Sequence, residues 1–105
     1  MKLLTEELIQ AFKKIGRQEN KKDPIVIAKF FNPMGQGTWF ATEYNSKSKI
    51  FFGYVSIFGD HNDEWGSFSL EELESLKLPF GLGIERDKYF QQENISKVIP
   101  KAVLN

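Results

Sequence analysis

Apolar residues recur at helical spacing close to the start of the chain. Leu8, Phe12 and Ile15 lie three or four positions apart, so a helix would carry them on one face. Thr5 is a suitable N-cap, and Gly16 follows the basic residues that would form the last turn. The pattern predicts a helix over residues 5–15. No apolar residue occurs in 16–23, which we expect to be an exposed, mobile connection.

β-branched and aromatic residues then alternate with turn signals, a pattern typical of strands. The predicted strands are residues 24–31, 38–45, 49–58, 64–68 and 84–90. A short Ser/Lys turn separates the second strand from the third, which favours a hairpin and an antiparallel sheet.

A second helix follows the fourth predicted strand. Ser69 and Glu72 have the spacing of a capping box, and Phe68 and Leu73 have that of a hydrophobic staple. We therefore expect a short helix over residues 70–77, and a further helical turn before Pro100. The fold class is α+β: an antiparallel sheet of four to five strands, an N-terminal helix and a second short helix in one domain, 1–105.

Composition and charge narrow the functional classes. The 105 residues include no cysteine, which excludes disulfides and thiolate sites and fits a reducing compartment, so we expect a cytoplasmic protein without a membrane span. The formal net charge is zero, so no overall field draws the chain to nucleic acid. Residues 1–49 nevertheless carry nine basic against five acidic residues, and residues 50–105 carry five against nine. The halves either complement each other within the fold or form a head-to-tail partner surface.

Six short segments occur in a characteristic order along the chain: MKLLTEEL, VIAKFFNP, TWFATEYN, FFGYVSIFG, SFSLEELE and GLGIERDKYF. Together they resemble a bacterial family known as domain of unknown function 2958, over residues 1–90. The resemblance implies a small bacterial protein, often encoded on plasmids and other mobile elements. It implies no activity, cofactor or substrate, and it transfers no catalytic residue.

Adjacent aromatic pairs are the most informative feature of the predicted sheet. They are Phe30-Phe31, Trp39-Phe40 and Phe51-Phe52, one pair in each of the first three strands. Neighbouring strand residues point to opposite faces, so each pair places one ring on each face. Either the two helices cover both faces, or one face stays open as an aromatic platform. Trp39 and Phe52 are expected to point the same way in a partly exposed patch, with Tyr54 as a further candidate contact.

Glu43 is the carboxylate that strand alternation places among bulky neighbours. Regular alternation groups Glu43 with Trp39 and Ala41, and places Phe40, Thr42 and Tyr44 on the other face. Glu43 could be a desolvated functional carboxylate, or it could form a structural ion pair with Arg86 of the Glu85-Arg86-Asp87 block. Both hypotheses predict that Glu43 and Arg86 are close.

Other polar motifs give weaker signals. The loop that begins at Asp60 has acidic side chains at EF-hand spacing, but Trp65 stands where that loop needs glycine, so we expect no metal site. His61 has no cysteine to complete a common zinc site and is expected to be an exposed loop residue. A basic cluster surrounds the end of the first helix: Lys13, Lys14, Arg17, Lys21 and Lys22. A solvated helix end is the simplest interpretation of it.

These observations favour a small binding or regulatory protein without a cofactor, which docks a macromolecular partner through an aromatic surface. The expected partner is another protein. A small enzyme with a carboxylate-based site around Glu43, Arg86 and Asp87 is the first alternative. Binding of single-stranded nucleic acid on the sheet is the second.

Overall fold

The N-terminal helix forms as its sequence pattern predicts. The computed structural model describes residues 2–57 and 63–103. Helix α1 spans Glu6–Ile15, and Thr5 Oγ1 accepts a 3.2 Å hydrogen bond from the backbone N–H of Leu8. Gly16 ends the helix with a φ of 71°, and its N–H donates to the Phe12 carbonyl at 2.8 Å. Both ends are therefore set by local chemistry.

The described residues contain strands in two antiparallel sheets. They are β1 (Ile25–Val26), β2 (Ala28–Phe31), β3 (Thr38–Asn45), β4 (Ile50–Ser56), β5 (Glu64–Ser69), β6 (Glu85–Arg86) and β7 (Glu93–Asn94). The larger sheet has the order β5-β4-β3-β2-β6, and β1 pairs with β7 in a small second sheet. The α+β class and the antiparallel sheet are confirmed.

Short helices complete the fold. Helix α2 spans Leu70–Ser75, and its N-cap Ser69 accepts the predicted hydrogen bond from the Glu72 N–H at 3.2 Å. Helix α3 spans Ile95–Val98, which confirms the helical turn before Pro100. A tight turn at Pro79–Gly81 follows α2, and a 3₁₀ turn at Pro100–Val103 follows α3.

Two predicted strands are shorter than expected. Residues 24–31 form β1 and β2 instead of one strand, because the chain passes from one sheet to the other at Ile27, whose N–H donates to the Ala41 carbonyl at 2.8 Å. Residues 84–90 contribute only β6, because Asp87 turns the chain: its carboxylate Oδ1 accepts from the Tyr89 N–H at 3.0 Å. Such Asx turns end strands.

The core has two layers, one on each face of the larger sheet. The first face carries Phe30 and Phe51, both 0% exposed, and is covered by α1 and α2. On the second face Phe40 and Tyr54 pack against Ile95 and Ala102 of the C-terminal segment. Both predicted helices therefore lie on one face, and the expectation that they cover opposite faces is wrong. The C-terminal segment covers the second face instead, because its apolar residues pack against the rings of Phe40 and Tyr54.

A β-bulge interrupts the pairing of β3 with β4. The register shifts between Ala41 and Glu43, and Thr42 is the additional residue. Thr42 is buried, and its hydroxyl donates to the Phe52 carbonyl at 3.1 Å. A bulge reverses the alternation of the residues that follow it. Glu43 therefore pairs with Phe52, and its side chain lies on the second face of the sheet.

Candidate functional site

Among the described residues, the C-terminal segment covers only part of the second sheet face. A cavity of about 650 Å³, which we call the second-face groove, lies beside that segment. Its floor is formed by Thr42, Glu43, Phe52 and Trp65. Residues from 18–24 form one wall, and Ala102 with Val103 forms the other.

Aromatic rings dominate the floor of the groove. Phe52 and Trp65 stack with ring centroids 6.0 Å apart and planes 15° apart, and both rings are half-buried. Tyr54 packs edge-on against Trp65 at 5.5 Å, and the indole N–H of Trp65 donates to the Ala102 carbonyl at 3.1 Å. Trp65 is thus fixed from two sides. Phe52 is the ring at the open end, where it offers apolar area that is already held in place.

Gln18 fixes the wall that faces these rings. Its side-chain amide donates to the carbonyls of Ile25, at 2.9 Å, and Thr42, at 2.8 Å. Its side-chain oxygen accepts from the Ile25 N–H at 2.7 Å. Gln18 is only 2% exposed, so the expectation that 16–23 is a wholly exposed connection is wrong at this residue. A polar side chain can be buried there because each of its bonds meets a backbone group.

Glu43 is anchored by the same wall. Its Oε2 accepts a 2.9 Å hydrogen bond from the backbone N–H of Gln18, and its side chain is half-buried. A carboxylate that accepts from a backbone N–H forms a charge-assisted bond, which holds the group in one orientation. The groove therefore presents a fixed negative charge beside Phe52, while Lys21 and Lys22 are exposed on its rim.

The predicted proximity of Glu43 and Arg86 is wrong. Arg86 pairs with Phe30 across β6 and β2, and its guanidinium donates to the carbonyls of Lys2 and Leu3 on the first face. Glu43 lies on the second face because the bulge turns it there. A catalytic group of Glu43, Arg86 and Asp87 is not assembled.

The Glu85-Arg86-Asp87 block forms a separate feature at the β6 edge. All three residues line a cavity of about 550 Å³ beside Lys29 and Tyr89. Asp87 pairs there with Lys29 at 3.6 Å. The candidate residues of the sequence analysis thus divide between two surfaces.

Trp39 also lies apart from the second-face groove. It pairs with Phe30 and Val55 and packs, half-buried, against the first-face core. Val55 and Phe52 are three positions apart on β4, so Trp39 and Phe52 point to opposite faces. The expectation that they share a patch is wrong for this reason. Glu43, Phe52 and Tyr54 are the candidates that the fold brings together.

Two tyrosines have shifted ionisation. Burial raises the pKa of Tyr44, and the Glu74 carboxylate raises it further. Burial also raises the pKa of Tyr54, with Asp63 adding to the rise and Lys101 opposing it. Both hydroxyl groups therefore stay protonated at neutral pH, where they are hydrogen-bonding groups and not bases.

Trp65 and Gln18 are the site residues that sequence reasoning missed. Pairing the predicted strand 64–68 with 49–58 could have placed Trp65 beside Phe52, whereas no local signal marks Gln18. Within residues 2–57 and 63–103 no three acidic or histidine side chains gather as a metal site, and no helix is long and apolar enough to cross a membrane. The predictions for Asp60 and His61 lie outside the described residues.

Comparison with known proteins gives one match. A family model described as protein of unknown function (DUF2958) matches residues 3–103. No curated protein matches, and no solved structure matches.

Proposed function

Because this chain belongs to the DUF2958 family, whose description states no activity, we propose its function from the geometry of the second-face groove. It is a small cytoplasmic binding or regulatory protein that docks another protein through this groove. The observation that carries the proposal is the half-exposed Phe52 ring beside the anchored Glu43 carboxylate.

The floor of the groove suits a protein contact energetically. Phe52 and Trp65 are held before any partner arrives, so little side-chain freedom is lost on binding. Aromatic groups in fixed positions supply much of the affinity at protein interfaces, and charged groups at the rim supply selectivity. Glu43 and the two rim lysines would select the charges of the partner.

The charges of the groove favour a polypeptide over nucleic acid. Lys21 and Lys22 alone would suit phosphates, but Glu19 and Glu43 line the same groove and would repel them. A polypeptide segment can place an apolar side chain over Phe52, a basic group towards Glu43 and an acidic group towards the lysines. We propose a partner segment of that composition.

The cellular setting is part of the proposal. The absence of cysteine supports the cytoplasm, and the family resemblance supports a link with plasmids and other mobile elements. A host factor such as a nuclease would be a suitable partner in that setting. We do not propose an enzyme with Glu43, Arg86 and Asp87 in one site, because Glu43 lies on a different surface from the other two residues.

Site-specific photo-crosslinking in the native host tests the proposal. A photoreactive phenylalanine at position 22, on the groove rim, is expected to crosslink one discrete protein, whereas the same group at the exposed position 88 is not. That protein is then purified and titrated with the wild type and with Phe52→Ala, which is expected to weaken binding by at least about tenfold. Tyr89→Ala, on the other cavity, is the control.

Three results would overturn the proposal. The first is equal crosslinking from positions 22 and 88, and the second is binding that Phe52→Ala leaves unchanged. The third is crosslinking to nucleic acid with a steep dependence of affinity on salt, which would establish the nucleic-acid alternative.

A further inference from the structure

Phe80 combines an unusual backbone conformation with almost complete exposure. It has φ 63° and ψ 26°, its side chain is 89% exposed, and Gly81 follows with φ 73°. The Leu82 N–H donates back to the Pro79 carbonyl at 3.3 Å, which closes a turn with positive φ at both central positions. Glycine and asparagine are the usual residues there, because a bulky side chain is disfavoured in the left-handed region. Within the described part of the chain, a side chain so exposed buries little apolar area that could compensate for this conformation.

The surroundings of Phe80 form a defined surface, which we call the Phe80 patch. Leu76 and Leu82 are 45% and 38% exposed, so the turn displays apolar groups to solvent. Helix α2, which precedes the turn, exposes Glu71, Glu72 and Glu74. Lys77 is exposed beside them, so the border of the Phe80 patch is mixed but has a net negative charge. That composition matches a partly apolar surface with a net positive charge.

The same chain has a cavity whose lining is apolar and basic. It has a volume of about 500 Å³ and lies at the C-terminal end of α1, lined by the apolar residues Phe12 and Ile50 and by the cations Lys13 and Arg17. Among residues 2–57 and 63–103, Glu43 is the one carboxylate in its lining, and Phe52 also lines it. Arg17 pairs with Glu19 at 2.8 Å, so among those residues Lys13 supplies the cavity's unshared positive charge. We call this cavity the α1-end cavity, and neither Phe80 nor an α2 glutamate lines it.

We propose that the Phe80 patch docks into the α1-end cavity of a second copy of this chain. The charges of the two surfaces support a head-to-tail arrangement, since Glu71, Glu72 and Glu74 are exposed beside the Phe80 patch and Lys13 lines the α1-end cavity. A symmetric contact between two Phe80 patches would bring acidic helices together, which costs energy. After a head-to-tail contact, one copy still has an unoccupied Phe80 patch and the other an unoccupied α1-end cavity. Further copies can therefore add, and the assembly forms a ring or a filament.

Sedimentation velocity at low salt and rising protein concentration tests the proposal. The wild type is expected to form species larger than a dimer, and salt is expected to dissociate them. Phe80→Asn removes the ring while keeping a residue suited to positive φ, so it should fold normally and weaken association by at least about tenfold. Lys13→Glu, which reverses a charge in the lining of the α1-end cavity, should do the same from the opposite side. Tyr89→Ser, at a side chain that is 93% exposed, is the matched control and should assemble as the wild type does.

Mixing the two defective variants gives the sharpest result. Phe80→Asn retains an intact α1-end cavity, and Lys13→Glu retains an intact Phe80 patch. An equimolar mixture is therefore expected to form one heterodimer and nothing larger. A wild type that stays monomeric at millimolar concentration, an assembly unaffected by Phe80→Asn, or a mixture without a heterodimer would each overturn the proposal. Phe80 and Lys13 do not line the second-face groove, whereas Glu43 and Phe52 line both cavities. Phe80→Asn therefore separates the two proposals: it should weaken self-association and leave partner binding in the second-face groove unchanged.

Discussion

The backbone N–H of Gln18 donates a 2.9 Å hydrogen bond to Glu43 Oε2, although 25 residues separate the two in the chain. The bond joins the connection after α1 to the bulge of β3. Because the Gln18 side chain also binds Ile25 and Thr42, one residue links α1, β1 and β3. The wall and the carboxylate of the second-face groove thus depend on the same residue, the wall through its side chain and the carboxylate through its backbone N–H.

Replacement of Gln18 should therefore cost more stability than its polar character suggests. Gln18→Leu leaves the Ile25 N–H and the carbonyls of Ile25 and Thr42 without their side-chain partner. We expect unfolding to become easier by about 2–5 kcal/mol, measured by urea denaturation, because unpaired buried polar groups retain their full desolvation cost. Gln91→Leu, the same change at an exposed site, should stay within about 0.5 kcal/mol. Equal effects at both positions would contradict the role given to Gln18.

Gly53 and Gly66 are paired across β4 and β5 and should respond in opposite ways to alanine. A Cβ at Gly53 would lie 1.9 Å from the Phe40 carbonyl oxygen, whereas a Cβ at Gly66 meets nothing within 4 Å. Gly53→Ala should cost about 3 kcal/mol or more, or prevent folding, because backbone atoms must move. Gly66→Ala should be neutral or stabilising by up to about 1 kcal/mol. Thermal melts of the two variants decide this, and a tolerated Gly53→Ala would show that the bulge region is loosely packed.

Local signals in the sequence were sufficient for the helices and for β3. Thr5, Gly16 and Ser69 act within a few residues of themselves, so their capping roles could be recognised in isolation. The bulge at Thr42 could not, because it depends on how β3 pairs with β4. That one residue reversed the predicted face of Glu43, and with it the expected partner.

The candidate site was predictable only in part for the same reason. Phe52 and Glu43 were identified from residue type, but their common wall depends on Gln18, in a segment without a strand or helix pattern. The cover of the second face comes from the C-terminal segment, whose 3₁₀ turn at Pro100–Val103 has no strong sequence signal. Long-range pairing, and not local propensity, decided these features.

Glu43 and Arg86 should behave as independent residues in a double-mutant cycle. Glu43→Gln keeps an oxygen that can accept from the Gln18 N–H but loses the charge, so we expect a cost of about 1 kcal/mol. Arg86→Met removes donors from the Lys2 and Leu3 carbonyls on the other face. The two effects should add within about 0.5 kcal/mol in denaturant unfolding. A coupling well above that would restore the ion pair that the sequence suggested.

The buried tyrosines predict a loss of stability at alkaline pH. In the folded protein the pKa of Tyr44 is raised above its ordinary value of 10.0 by burial first and by Glu74 second, and the pKa of Tyr54 is raised mainly by burial. A raised folded-state pKa means that the unfolded chain loses its protons first. The stabilisation is therefore complete below about pH 10 and is lost as pH rises through the folded-state pKa values.

Melting temperatures measured from about pH 8 to pH 11 test this sign and its source. The wild type should lose stability across the upper part of that range. Tyr44→Phe removes one titrating hydroxyl, so its curve should fall less steeply than that of the wild type, and Tyr44→Phe/Tyr54→Phe should fall less steeply still. The comparison uses slopes, because either substitution can shift the whole curve through packing. Parallel curves for all three proteins would show that neither tyrosine is desolvated enough to couple its ionisation to folding, and that the groove floor around Tyr54 admits water.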